Sequence, residues 1–156
     1  MTITATPAHP SRQDRAGRPP NPAPSSAARI AAALFLIVVL FQVGLALGLP
    51  WGAAAFGGAN PGVLPVELRT SSVVAALVYL LLAGVAGTRW LPTTPRRFVL
   101  IGAAVLMVIG ALVNIASPSF IERIIWAPVT IALAVALWVA AQHPSLRPRK
   151  DKGSGR

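Results

Sequence analysis

The chain has 156 residues, of which 54% are of apolar types and only 12% are charged, about half of the ~25% found in ordinary soluble domains. Fourteen Lys and Arg stand against four Asp and Glu, for a formal net charge of +10, and there is no cysteine. These figures point to a small, basic, integral membrane protein. They exclude a disulfide-stapled secreted module and any chemistry that requires a thiolate, including Cys-ligated zinc and iron–sulfur clusters.

Residues 1–28 hold six prolines and three arginines with no apolar periodicity. Such a segment cannot bury enough surface to offset its ordering entropy, so a disordered basic tail is expected. The first apolar run, 30–49, has no charge in it. It matches the ~20 residues needed to cross a ~30 Å hydrocarbon core. It is too long for the ~7–15-residue core of a signal peptide and is therefore read as a retained span.

The connection that follows, residues 50–70, reads PWGAAAFGGANPGVLPVELRT. A freely solvated loop would be more polar. This one is expected to lie on the bilayer surface or to cap the helices, with Gly57-Gly58 and Asn60-Pro61-Gly62 as turn signals. Trp51 and Phe56 are its candidate lid or docking residues; a packed cap is the plainer reading.

Three more apolar runs follow at 71–87, 98–116 and 124–142, and residues 143–156, HPSLRPRKDKGSGR, form a second basic tail expected to be disordered. Four long runs with almost no polar face predict an all-α fold, a membrane four-helix bundle over residues 29–142. Twelve of the fourteen basic residues fall in the tails and the second connection, and only Arg69 and Arg123 fall in the first and third connections. By the positive-inside rule both termini are expected to be cytoplasmic. Trp51 and Trp126 then fall at the outer interface and Trp90 at the inner one, where an indole finds both an apolar and a polar surrounding.

Helices in lipid associate through small residues and interhelical hydrogen bonds. Gly44 and Gly48, Ala83 and Gly87, Gly102 and Gly110, and Ala132, Ala136 and Ala140 supply small-residue faces, for contact within the bundle or with a second copy. Gln42, Tyr79, Asn114 and Thr130 are the candidate intramembrane polar contacts, as interhelical glue or as solute ligands. The four runs contain no Asp, Glu, Lys, Arg or His, which argues against proton- or cation-coupled transport through a membrane carboxylate.

Glu67 and Arg69 precede the second run, and Glu122 and Arg123 the fourth. Cross-pairing of Glu67 with Arg123, or of Glu122 with Arg69, is expected to tie two hairpins together. No nucleophile–base pair and no metal-ligand spacing accompanies them, so no catalytic residue, metal or cofactor is expected. The basic flanks lack aromatic interleaving. They are read as topology signals that attract anionic lipids at the cytoplasmic face, and not as a nucleic-acid surface.

At GLPWGAAAFGGANPGVLPVELRTSS and again at ASPSFIERIIWAPV, the chain resembles a group of small four-helix integral membrane proteins of actinobacteria that have no known activity. The resemblance covers roughly residues 30–142 and rests on loop composition. It implies a bacterial inner-membrane location and carries over no functional residue. The leading expectation is a non-enzymatic accessory or structural protein that contacts a membrane partner, lipid or a second copy. The alternative is a facilitator or carrier of a neutral or hydrophobic solute that works without an intramembrane charge.

Overall fold

The computed structural model describes residues 23–142. The expectations for residues 1–22 and 143–156 lie outside the described residues. Four helices follow one another: α1 (Ser26–Leu47), α2 (Val66–Gly87), α3 (Thr93–Ala116) and α4 (Phe120–Gln142). Each is long and apolar enough to span a membrane, and no strand occurs among the described residues. The all-α four-helix architecture is as the apolar runs require.

Every helix starts four or five residues before its apolar run. Counting apolar residues stops at the first charge, but a helix in the interface accommodates charges in its first turn. Ser25 caps α1 by accepting the Ala28 N–H at 3.2 Å, so α1 reaches into the segment expected to be a disordered tail. Pro65 and Pro92 stand immediately before α2 and α3. Three of the four ends fall where the runs end. α1 stops two residues early because Gly48 adopts φ 90°, a left-handed conformation that suits glycine and closes a helix.

α1 and α2 form one antiparallel hairpin, α3 and α4 a second, and α1 packs against α4. α2 and α3 scarcely touch, although a short 88–92 link joins them. The seam between them is therefore the least closed side of the bundle.

The interior is the reverse of a soluble core. Buried apolar positions are mostly alanine, among them Ala28, Ala31, Ala83, Ala86, Ala103, Ala104, Ala136 and Ala140, with Phe35, Leu100, Leu133 and Leu137 as the large exceptions. Leu40, Leu47, Leu77, Ile109, Leu112 and Val113 all point outward. In water so broad an apolar exterior would associate. In lipid there is no gain from hiding large side chains, and close approach of small ones drives packing. Gly87 and Ala32 mark one such approach between α2 and α1, where a Cβ on the glycine would lie 3.1 Å from the alanine methyl.

Not every small residue serves helix contact. The space over Gly44 is taken by the Trp51 indole, and Gly48 ends the helix, so the expected Gly44–Gly48 step holds the loop instead of a neighbouring helix. Ala132 faces outward, while Ala136 and Ala140 are buried beside Leu133 and Leu137.

Arginines finish two helix ends. Arg69 Nε donates to the Ala46 carbonyl at 3.0 Å. Arg96 donates to Val85 at 3.0 Å and to Ala86 at 2.8 Å. Carbonyls left unpaired at a helix C-terminus carry the negative end of its dipole, where a guanidinium is favourable.

Candidate functional site

The two ends of the bundle differ. Toward the end where α1 begins and α4 finishes, a continuous alanine-rich core fills the space between helices. Toward the end that carries the long 48–65 connection, a cavity of about 610 Å³ opens among α1, α3 and α4, with Tyr79 as its contact with α2. Gln42, Tyr79, Asn114 and Thr130, each on a different helix, all line it. The structure brings these four residues to one space without bonding them to one another. Gln42 Oε1 is buried and has no hydrogen-bond partner among the described residues, so it does not act as glue to Asn114, which the sequence places at a similar depth. The Thr130 hydroxyl folds back onto the Trp126 carbonyl at 2.7 Å, a bond within α4. It lies two residues after Pro128, which lacks the N–H of an ordinary helical residue.

Aromatic rings make up much of the wall. Phe41, Phe56, Tyr79 and Trp126 line the cavity. Phe41 packs on Trp126 at a centroid distance of 4.5 Å and stacks with Trp51 at 5.9 Å. Below them Phe35, fully buried, stacks on Tyr79 at 5.9 Å. Phe35 lies three residues before Val38 on α1 and belongs to the buried core that adjoins the cavity.

The roof is the connection itself. Residues 52–54 and 56–58 form two short 3₁₀ turns. Ala54, Ala55, Phe56 and Gly57 face the cavity. Phe56 has φ 52°, a costly conformation for a bulky residue that surrounding contacts must enforce. Those contacts come from the start of α4. The Ser119 hydroxyl donates to the Ala53 carbonyl and accepts the Glu122 N–H at 3.2 Å. Trp126 Nε1 donates to the Ala54 carbonyl at 2.8 Å.

Ser119-x-x-Glu122 has the spacing of a capping box. Glu122 nevertheless turns away from Ser119. Its Oε2 accepts the Gly57 N–H at 2.9 Å and the Ser117 hydroxyl, and the residue lines the cavity.

Among the described residues neither cross-pair expected at this end is made. Glu122 is taken up by the roof, and Arg69 by the end of α1. Arg123 is exposed on the next position of α4, and the Glu67 carboxylate shares none of these contacts. A backbone carbonyl and a backbone N–H fixed by the fold outcompete a mobile surface ion pair worth only ~0–1 kcal/mol.

Trp51 and Phe56, singled out together, part company. Trp51 is packing: its ring sits over Gly44 against Phe41 and does not reach the cavity. Phe56 is a roof residue of the cavity. Glu122, Phe41, Ser117 and Trp126 belong to the site, and their roles were not read from the sequence. The S-x-x-E spacing was the one available signal for Glu122. No group of His, Asp and Glu that could hold a metal occurs among the described residues.

No protein-family model matches the chain, and no curated protein or solved structure matches it significantly. The site therefore has to be read from its own geometry.

Proposed function

We propose that this multi-pass membrane protein is non-enzymatic and binds a small solute with an apolar body in the cavity under the 48–65 roof, as a facilitator or carrier. The supporting observation is the cavity itself: about 610 Å³ bordered by Gln42, Tyr79, Asn114 and Thr130 from four helices. An accessory protein whose role is to offer a surface has no need of a concave space bordered by polar side chains from four helices, which is the form of a small-molecule site. Gln42 Oε1 has no hydrogen-bond partner among the described residues, so the cavity wall offers a solute an acceptor there and, at the Asn114 amide, a donor.

The setting we infer is a bacterial cytoplasmic membrane, with the chain termini inside, anionic lipid at the basic face, and the cavity toward the outside. Single cysteines at Arg97 and at Gly62 test this in intact cells. An impermeant maleimide is expected to label Gly62→Cys and to leave Arg97→Cys unlabelled; the opposite pattern reverses the orientation.

Binding is tested with triphenylphosphine oxide, a neutral aromatic hydrogen-bond acceptor, by equilibrium dialysis against the full chain in nanodiscs, with empty nanodiscs subtracted. Saturable uptake at one site per chain is expected. Asn114→Leu removes a donor facing the cavity and is expected to weaken uptake by about tenfold, the equivalent of ~1.4 kcal/mol. Gln42→Leu is expected to weaken it less and to leave the fold as stable or more so, because it removes an unpaired buried oxygen. No saturable component, or one indifferent to both substitutions, would reject the cavity as a binding site.

A further inference from the structure

The charge in the cavity wall is one-sided. Among the described residues Glu122 is the sole acidic one lining it, and none of those lining residues is Lys or Arg. Both hydrogen bonds that Glu122 accepts fall on Oε2, so Oε1 takes none of them. The nearest basic residues by position are committed or directed elsewhere: Arg69 to the Ala46 carbonyl, and Arg123 to the exposed surface. Phe41, Phe56, Tyr79 and Trp126 line the same cavity. A ring face carries partial negative charge and attracts a cation within about 6 Å by ~0.5–2 kcal/mol. The remaining wall is apolar or small, apart from the neutral polar residues Gln42, Asn114, Ser117 and Thr130.

We propose that the solute is a monovalent organic cation with an apolar body, an amine or quaternary onium ion, for which Glu122 is the counter-ion and the aromatic walls are the cradle. The inference rests on the cavity reading above and narrows it to one charge class. An anion finds no cationic side chain among the described residues of this wall and would meet a carboxylate in a medium where charge interactions are poorly screened. A neutral ligand leaves that carboxylate with the roof bonds alone. The sequence placed Glu122 in a surface loop and left the spans without an ionisable group. In the folded chain Glu122 is in the first turn of α4, and its carboxylate fronts the space between helices. It also explains why the roof is attached where it is. The Gly57 N–H and the Ser117 hydroxyl hold Oε2, which fixes the carboxylate at the cavity mouth.

The test uses two ions of the same shape and opposite charge, tetraphenylphosphonium and tetraphenylborate, together with triphenylphosphine oxide. All are dialysed against the full chain in nanodiscs of zwitterionic lipid, with uptake by empty nanodiscs subtracted. Tetraphenylphosphonium is expected to bind at least about tenfold more tightly than the neutral oxide, ~1.4 kcal/mol, with no saturable uptake of tetraphenylborate. Glu122→Gln keeps an oxygen able to accept both roof bonds but removes the charge. It is expected to lose the preference for the cation while retaining the neutral oxide, and Glu122→Asp is expected to keep the preference.

Equal uptake of the two ions by the unaltered chain would overturn the charge assignment whatever the variants do. So would a Glu122→Gln variant that loses cation and neutral oxide in equal measure, since Glu122 would then act only by holding the roof. If the oxide binds and the cation does not exceed it, the charge inference fails and the cavity reading stands. If nothing binds, both fail.

Discussion

Gly52→Ala is expected to detach the roof from the bundle. A Cβ at this position would lie 1.8 Å from the Asn60 carbonyl oxygen and 2.8 Å from that of Gly62. Both are backbone atoms, so no side-chain rotation relieves the overlap. The chain must separate the 52–54 turn from residues 60–62, losing the Gly52 N–H to Gly62 bond at 3.0 Å and the weaker Ala53 N–H to Pro61 bond. Ala53 and Ala54 are also the acceptors for Ser119 and Trp126, so the displacement reaches α4. Overpacking costs about 1–3 kcal/mol and each of the two lost hydrogen bonds about 1 kcal/mol, for a total of about 3–5 kcal/mol. Helix content by circular dichroism is expected to be preserved, because the four spans do not depend on the roof. Hydrogen exchange across 52–62 is expected to rise and solute uptake to disappear. Gly62→Ala is the control: no heavy atom lies within 4 Å of a Cβ there, and no effect on exchange or uptake is expected. Protection of 52–62 that survives Gly52→Ala would show that the roof is not held by this close approach.

Phe35→Ala is expected to cost about 2–3 kcal/mol in a reversible unfolding assay in mixed micelles. In soluble proteins a buried Phe→Ala change costs about 3–5 kcal/mol, part of it the loss of transfer from water. In lipid that part is small, since an unpacked ring would face hydrocarbon. What remains is the packing lost around a ring that is 0% exposed and stacked on Tyr79. Leu40→Ala is expected to change stability by less than about 0.5 kcal/mol, because Leu40 is 70% exposed to the lipid side. Phe35 also packs behind Tyr79, a residue of the cavity wall, so its removal should enlarge the space. Uptake of a bulkier neutral probe, tris(4-methylphenyl)phosphine oxide, is expected to improve relative to the parent oxide. Equal cost at Phe35 and Leu40 would mean that interior packing does not hold this bundle together.

The spans were legible because a bilayer imposes a length and a polarity on them, and both are one-dimensional properties of a sequence. Their C-terminal ends were legible for the same reason. Their starts were not, because Arg29, Arg69, Arg97 and Arg123 are charged residues inside helices and a count of apolar residues halts at each of them. The polar residues Gln42, Tyr79, Asn114 and Thr130 were visible as exceptions in apolar runs. That they border one cavity depends on helix rotation, which the nearly uniform apolarity of each span leaves unmarked.

The loop was the harder case. Trp51 and Phe56 read alike as aromatic residues in a Gly- and Pro-rich segment. One covers Gly44 and the other lines the cavity, and the difference comes from the turns at 52–54 and 56–58. Glu122 was read as the partner of Arg69 in an ion pair between two hairpins. A fixed backbone N–H and a serine hydroxyl hold it instead, because they offer better geometry at less entropic cost than a surface ion pair.

Composition and the spacing of apolar residues thus determined four spans and the helical class, because lipid leaves a backbone few other ways to satisfy its polar groups. Tertiary structure alone decided where the helices part into a cavity, which side chains face that space, and that Glu122 is the one carboxylate lining it among the described residues. Those features arise from the approach of Gly52 to the 60–62 backbone and from the Ser119 and Trp126 bonds to the roof. Such contacts join residues far apart in the chain, and no local pattern records them.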